Sequence, residues 1–204
     1  MAPLHESRIR LLDAALAVFR AKGYAATRIE DICTAAGLTK GSFFHHFAGK
    51  EDLAVAAAEH WSEVTGELFR SAPYHAPEDP LDRVMAYVAF RKALLQGRPA
   101  EFTCLAGTLV QETFETHPAV REACEESISC HAAEVAKDIA AARERHAPDA
   151  PWSADSLALF TQAVLQGAFI LAKAKVGPEV AVGCVEHLER YLNLLFNRHP
   201  RGSS

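Results

Sequence analysis

Residues 27–53, TRIEDICTAAGLTKGSFFHHFAGKEDL, constrain the fold more than any other stretch of the chain. Just before them, Ile9, Leu12, Leu16 and Phe19 recur at helical spacing, one apolar stripe that Gly23 closes. Thr27-Arg28-Ile29-Glu30 then has the form of a capping box. In that box the Thr27 hydroxyl accepts from the Glu30 amide while the Glu30 side chain reaches back. The helix it opens is short, because Gly37 follows Ala36 and can take the left-handed conformation that ends a helix. Thr39 caps a third helix running through His46. After Gly49, Glu51 and Asp52 fall in a first turn, where the positive end of a helix dipole favours carboxylates. Three short helices with a glycine-containing turn before the third make a helix-turn-helix pattern.

The third helix divides into two faces. Leu38, Phe43 and Phe47 point inward against Phe19, Ile29 and Ile32, with Phe43 and Phe47 one turn apart. Thr39, Lys40, Ser42, Phe44, His45 and His46 are left for the outer face or its edges. Gly41 costs roughly 1 kcal/mol of helix stability relative to alanine, which makes sense where another backbone must come close. Lys40 and Lys50 supply charge for phosphates, and the amides at Lys50 and Glu51 open a helix end that attracts anions. Thr27 and Thr39 hydroxyls can donate to phosphate or base edges when not capping, and Arg28 can reach a phosphate. His45 and His46 can hydrogen-bond to bases or phosphates. They cannot easily share a metal ion, since helix neighbours point about 100° apart, and no third ligand stands at a recognised spacing.

Beyond this head the chain predicts helices throughout, with no sustained alternation and no Asn-Gly hairpin. A fourth helix runs to about Arg70 and meets SAPYHAPEDP, a loop with three prolines. Five more are expected at 81–96, 104–114, 119–145, 154–176 and 180–197. The reading is an all-α chain of about nine helices: residues 1–50 a helix-turn-helix head, 51–199 a larger helical body, and 200–204 a disordered tail.

Charge sharpens this division. The total is −5, yet residues 1–50 hold seven Lys/Arg against four Asp/Glu, while the other 154 residues hold fourteen against twenty-two. A basic small part on an acidic large part implies that only the first meets a polyanion. No apolar run approaches the ~20 residues that span a bilayer, and MAPLHESRIR has no apolar core for a signal peptide, so no membrane partner is expected. Five scattered cysteines form no disulfide framework; a cytoplasmic chain with reduced thiols is expected, with Cys33, Cys124, Cys130 and Cys184 as packing residues. There is no Gly-rich phosphate loop, HExxH or GxSxG, hence no expected enzyme and no cofactor.

The run from Thr27 to Leu53 resembles the DNA-binding signature of TetR-family transcriptional regulators, over about residues 7–55. The glycines, the aromatic pair, the closing phenylalanine and Lys50-Glu51 fall at the family's spacing. The resemblance implies that Thr27, Arg28, Thr39, Lys40, Gly41, Phe44, His45, His46 and Lys50 touch duplex DNA. Where the family usually has tyrosine this chain has Phe44, which offers van der Waals contact but no phenol hydrogen bond. The resemblance also implies a homodimer through the last two helices and a pseudo-palindromic operator read by helices about 34–36 Å apart. Leu157, Phe160, Val164 and Leu171, then Val180, Cys184, Leu188, Tyr191 and Leu195, form the matching apolar stripes. Ala163, Gly167, Ala168 and Ala174 would let another helix approach.

For the body, the resemblance implies a small-molecule effector among the middle helices and a repressor released by it. Phe90, Leu94, Phe102, Leu105 and Leu109 are candidate lining, with Phe114, Phe160 and Phe169. The segment EFTCLAGTLVQETFETHPAVREAC resembles a subgroup with a cysteine opening this helix, some of whose members respond to electrophiles or oxidants. Cys104 is then a candidate sensor, its thiolate favoured by the helix dipole. GAFILAKAK places Lys173 deep in an apolar helix, where it would snorkel, pair with a carboxylate such as Glu112, or lie near Cys104.

Overall fold

The computed structural model describes residues 2–198, with side chains from Glu6 onward. The expected disordered tail, 200–204, lies outside the described residues. Among those residues there are ten α-helices and no strand. They are α1 (Ala2–Lys22), α2 (Ile29–Ala36), α3 (Lys40–His46), α4 (Lys50–Arg70), α5 (Pro80–Ala93), α6 (Pro99–Phe102), α7 (Leu105–Thr113), α8 (Pro118–His146), α9 (Ala154–Lys175) and α10 (Glu179–Leu195). A single 3₁₀ turn, Pro73–His75, lies in the proline loop. The helix beyond the expected nine is α6, a four-residue turn too short to leave a periodicity.

The helices pack as two compact units. One comprises the residues up to Arg70 with Thr103–Ile128; the other comprises Ser71–Phe102 with the residues from Ser129 onward. In the first unit Leu11, Phe19, Ile32, Phe43, Leu53, Leu105 and Leu109 are fully buried. α1 packs on α2, α3, α4 and α7 around that core. Gly37 ends α2 at φ 63°. Its N–H donates to Thr34 O at 3.1 Å and that of Leu38 to Cys33 O at 2.9 Å, the two bonds of a left-handed cap.

In the second unit α10 packs on α9 and α5. Ala181, Val185, Leu188 and Leu192 recur at helical spacing on the buried face of α10. Of its other apolar residues Tyr191 and Leu194 are exposed, while Val180, Val182, Cys184 and Leu195 are half-buried. Helix α9 divides likewise, with Leu157, Leu165 and Ala172 inside and Phe160, Ala163, Ile170, Leu171 and Ala174 exposed. By length and mean hydropathy (1.5), α9 is apolar enough to cross a membrane. That corrects the expectation that no segment approaches this measure; its inner face packs as the core of this unit. Cys33 and Cys124 are buried as expected of packing residues, Cys184 is half-buried, and Cys130 is exposed.

Candidate nucleic-acid interface

Helix α3 is held by its inner face. Phe43 and Phe47 are buried, their ring centroids 5.7 Å apart. Thr39 caps α3 as its spacing predicts, its hydroxyl accepting from the Ser42 N–H at 3.1 Å. Lys40, Gly41, Phe44 and His45 are exposed. At 3.6 residues per turn these four span an arc of about 140°, one continuous face. Phe44 stands edge-on to Phe43 at 5.2 Å and is 55% exposed, an unusual position for a phenylalanine that has a core beside it. A Cβ on Gly41 would meet only the Thr39 Oγ1, at 3.6 Å. The protein's own packing therefore does not require glycine here, although the helix loses stability by having it.

Beside this face Arg28 is exposed, and Lys40 forms an ion pair with Glu30. The Lys40 hydrogen bond holds the Glu30 carboxyl below its ordinary range. The exposed edge thus carries two cations, one of them already paired with a carboxylate.

Three of the sequence-predicted contacts are placed differently. Thr27 is buried, and its hydroxyl donates to Gly23 O at 2.6 Å. It does not cap α2; the N-cap is Arg28, whose backbone N–H donates to the Asp31 carboxylate at 3.0 Å. The box is shifted one residue because the Thr27 hydroxyl is committed to closing the turn after α1. Lys50 folds inward: its Nζ donates to Tyr24 O at 2.9 Å and Thr27 O at 3.1 Å, 4.3 Å from the Tyr24 ring centroid. Those two carbonyls bracket the α1–α2 turn, so the ammonium ties the turn to the start of α4. His46 also turns back, its Nε2 lying 2.7 Å from Ser7 Oγ on α1. Burial, with smaller contributions from His45 and Arg8, holds the His46 imidazole below the usual histidine range.

Other residues that hold the head were not expected. Arg10 Nη2 donates to Ala36 O at 2.6 Å, bracing the end of α2. Glu112 on α7 accepts from the Ala25 N–H at 2.7 Å, and its carboxylate lies against Gly23. Tyr24 meets His117 edge-on at 4.7 Å. An exposed glutamate leaves no helical-period signal to reveal such a role.

The expected effector lining is dispersed. In the first unit Leu105 and Leu109 are fully buried core and Phe114 is exposed. Cys104 is the N-cap of α7, its Sγ accepting from the Gly107 N–H at 3.4 Å. That is a structural role for the sulfur, and it does not favour the thiol-sensor alternative. In the second unit Phe102 lies 6.3 Å from Phe169, and Phe90 lies 5.7 Å from Tyr74. Leu94 is exposed, and Phe160 sits on the outer face of α9 against Tyr191, 5.1 Å away. Lys173 is exposed rather than deep, and Glu112 is bonded to Ala25 instead.

A polar cluster in the second unit went unread in the sequence. Tyr74 from the 3₁₀ turn meets Tyr87 of α5 edge-on at 5.4 Å. Tyr87 Oη lies 2.9 Å from His131 Nε2 on α8 and accepts from Gln162 Nε2 of α9 at 3.3 Å. Arg91 Nη1 reaches Tyr87 Oη at 3.4 Å and His131 Nε2 at 3.2 Å. Burial pushes Tyr74 up to about 12 and, with the nearby Arg91, His131 down to about 3. The i, i+4 spacing of Tyr87 and Arg91 was the one local signal available.

Comparison with known proteins agrees with this architecture. Residues 11–57 match the model described as bacterial regulatory proteins, tetR family, and residues 80–187 match the tetracyclin repressor-like C-terminal domain. The HTH-type transcriptional regulator LmrA of Bacillus subtilis is 30% identical over 130 residues, 60% of this chain and 65% of LmrA. The chain thus spans less than two thirds of that relative. A TetR transcriptional regulator from Chloroflexus aurantiacus superposes with a TM-score of 0.80 at 28% identity, over 95% of this chain and 97% of that one. A cysteine double mutant of the TetR family regulator CifR, complexed with 26 bp of double-strand operator DNA, shares the fold at a TM-score of 0.73 and 21% identity, over 88% and 94%. With two family models covering the head and more than half of the chain, this protein belongs to the TetR family of bacterial transcriptional regulators.

Proposed function

We propose that the chain is a homodimeric, effector-responsive, sequence-specific repressor acting in the cytoplasm, and a regulator rather than an enzyme. Residues 1–50 read DNA, and residues 51–199 bind the effector and form the dimer. The observation that carries the reading is the outer face of α3. Lys40, Gly41, Phe44 and His45 stand in solvent on a short helix whose other face is locked in a core. A groove supplies what that face lacks: phosphates for Lys40 and Arg28, base edges for His45, and sugar or thymine methyl groups for Phe44. Gly41 then permits a DNA strand to come close.

The dimer reading is supported by the outer faces of α9 and α10. Phe160, Ile170, Leu171, Tyr191 and Leu194 are all between 43% and 77% exposed, a large apolar area for a chain on its own. At Gly167 and Gly183 an added Cβ would meet nothing within 4 Å, so a second helix could approach closely there. Two copies joined this way place two reading helices about one DNA turn apart. Effector control then requires a ligand that discriminates between two head separations, with ~5.5 kcal/mol needed to reverse occupancy fully.

Selection of binding sequences from a random duplex pool tests this reading. The expected outcome is a pseudo-palindrome with half-site centres about 10 bp apart or a multiple of it, bound less tightly as salt rises. Enrichment of no common sequence, or of one without two-fold symmetry, would overturn it.

A further inference from the structure

The cations of the head are not equivalent. Lys22 pairs with Asp31 at 2.9 Å and Lys40 with Glu30, while Arg10 and Lys50 spend their hydrogens on backbone carbonyls. Arg8 on α1 is exposed and, among the described residues, makes neither an ion pair nor a side-chain hydrogen bond. What holds it is a ring: its guanidinium carbon lies 5.3 Å from the centroid of Phe47, the residue that closes α3. Phe47 is buried in the core of the head, so the ring is a fixed seat. A guanidinium stacked on an aromatic face keeps its N–H donors for other partners. The seat also removes part of the rotamer freedom that an arginine must otherwise lose on binding.

The surroundings of Arg8 carry one sign of charge. Ser7, the residue before it, is bonded to His46 at 2.7 Å, and the His45 ring stands 5.2 Å from that of His46. Burial first, then His45 and Arg8, hold the His46 imidazole down, and no carboxylate offsets them. Asp52, at the start of α4, is engaged by the Ala48 N–H at 2.8 Å. The opposite end of α3 differs, because Lys40 there already has Glu30. Helix α3 has seven residues, about 10 Å of length, and a major groove is about 12 Å wide between its phosphate walls. With Lys40 and Arg28 near its start and Arg8 near its end, a groove that holds α3 meets a cation on each side. Arg8 stands on α1, beside α3 rather than on its outer face, which suits a groove wall and not the base edges.

We propose that Arg8, seated on Phe47, contacts a backbone phosphate of the duplex at the C-terminal end of α3. The contact comes from α1 and lies outside the helix-turn-helix residues assigned above. It rests on the reading that residues 1–50 bind duplex DNA.

Fluorescence anisotropy with two duplexes tests the contact: one enriched by wild type from the random pool, the other its scrambled sequence. For Arg8→Gln the log–log slope against salt should fall by about 0.9 for each bound protomer. Affinity at about 0.15 M salt should fall about fivefold per protomer from counterion release alone. A phosphate contact carries no sequence information, so both duplexes should lose the same factor. Arg8→Lys keeps the charge and should keep the slope. Melting within about 4 °C of wild type shows that a variant is folded, since an exposed ring contact contributes little. Phenylglyoxal modification of the wild-type chain, read by mass spectrometry, needs no variant: the enriched duplex should protect Arg8. Arg8→Gln with the wild-type slope, or Arg8 equally reactive with and without duplex, would overturn the contact and leave the DNA reading standing. A loss confined to the enriched duplex would also overturn it, in favour of a base contact. Wild type that binds neither duplex, or binds without salt dependence, would overturn the DNA reading itself and this contact with it.

Discussion

Replacing Lys50 with methionine separates two roles that a lysine beside a reading helix can have. Its ammonium makes two hydrogen bonds to the carbonyls of Tyr24 and Thr27 and a cation–π contact with the Tyr24 ring. Hydrogen bonds to charged groups contribute about 1.5–3 kcal/mol each, and partial solvation of this half-buried residue reduces that to about 1 each. The ring contact adds about 0.5–1 kcal/mol, so the loss should total about 2–3 kcal/mol. For a chain of 204 residues each kcal/mol lowers the melting temperature by about 2–4 °C, giving a fall of roughly 5–10 °C. In a log–log plot of DNA affinity against salt, Lys50→Met should lie below wild type and parallel to it, because no phosphate contact is removed. Lys40→Met should do the opposite, melting close to wild type while the slope falls by about 0.9, one phosphate neutralised fewer. Lys50→Met melting with wild type while losing about 0.9 from the slope would show that the lysine leaves the turn to bind phosphate, and would refute the reasoning.

Glu112→Ala removes the acceptor for the Ala25 N–H, and amide hydrogen exchange at Ala25 should quicken about tenfold, equivalent to roughly 1.4 kcal/mol of local protection; unchanged exchange would show that the bond carries no stability. The His131 pKa, depressed to about 3 in the folded state, makes the unfolded chain the better proton acceptor below about pH 6.5, so its contribution is complete above that pH and is lost as pH falls toward 3. The stability gap between wild type and His131→Gln in urea titrations should therefore narrow from pH 7 to pH 4, and a constant gap would contradict the assignment. Phe160→Glu places a charge on the outer face of α9 against Tyr191, and sedimentation should find a monomer that keeps its helical circular dichroism; a dimer unaffected by this charge would place the interface elsewhere.

What could be read from the sequence depended on whether a residue's partners lay within a few turns of it. Thr39 as a cap, Gly37 as a left-handed stop and the inward pair Phe43 and Phe47 were legible because each acts within its own helix or the next. The division of α9 and α10 into two faces was legible in part: Leu157 and Leu188 lie inside, whereas Phe160, Leu171 and Tyr191 face out. Lys50 was misjudged because its partners lie 26 and 23 residues earlier, on carbonyls that no side-chain pattern reveals. The Tyr87–His131–Gln162 contacts span 44 and 75 residues and join three helices, so periodicity carried no trace of them. Thr27 was misplaced for a smaller reason: a hydroxyl two residues before a helix can close the preceding turn or cap the next one, and the sequence fits both.

The ion pair between Lys40 and Glu30 has a consequence for how the head meets any polyanion. A phosphate arriving at Lys40 enters a site already occupied by a built-in rival, so recognition is an ion exchange rather than a simple addition of charge. The displaced Glu30, kept ionised by its lysine, then stands beside the incoming strand as a repulsive neighbour unless that strand is positioned to avoid it. On that reading a strand meeting Lys40 alone would have no other contact with which to displace the carboxylate, whereas a duplex lying along the whole outer face of α3 would. A protein whose total charge is −5 can in this way carry a cationic reading edge without adhering to every polyanion it meets.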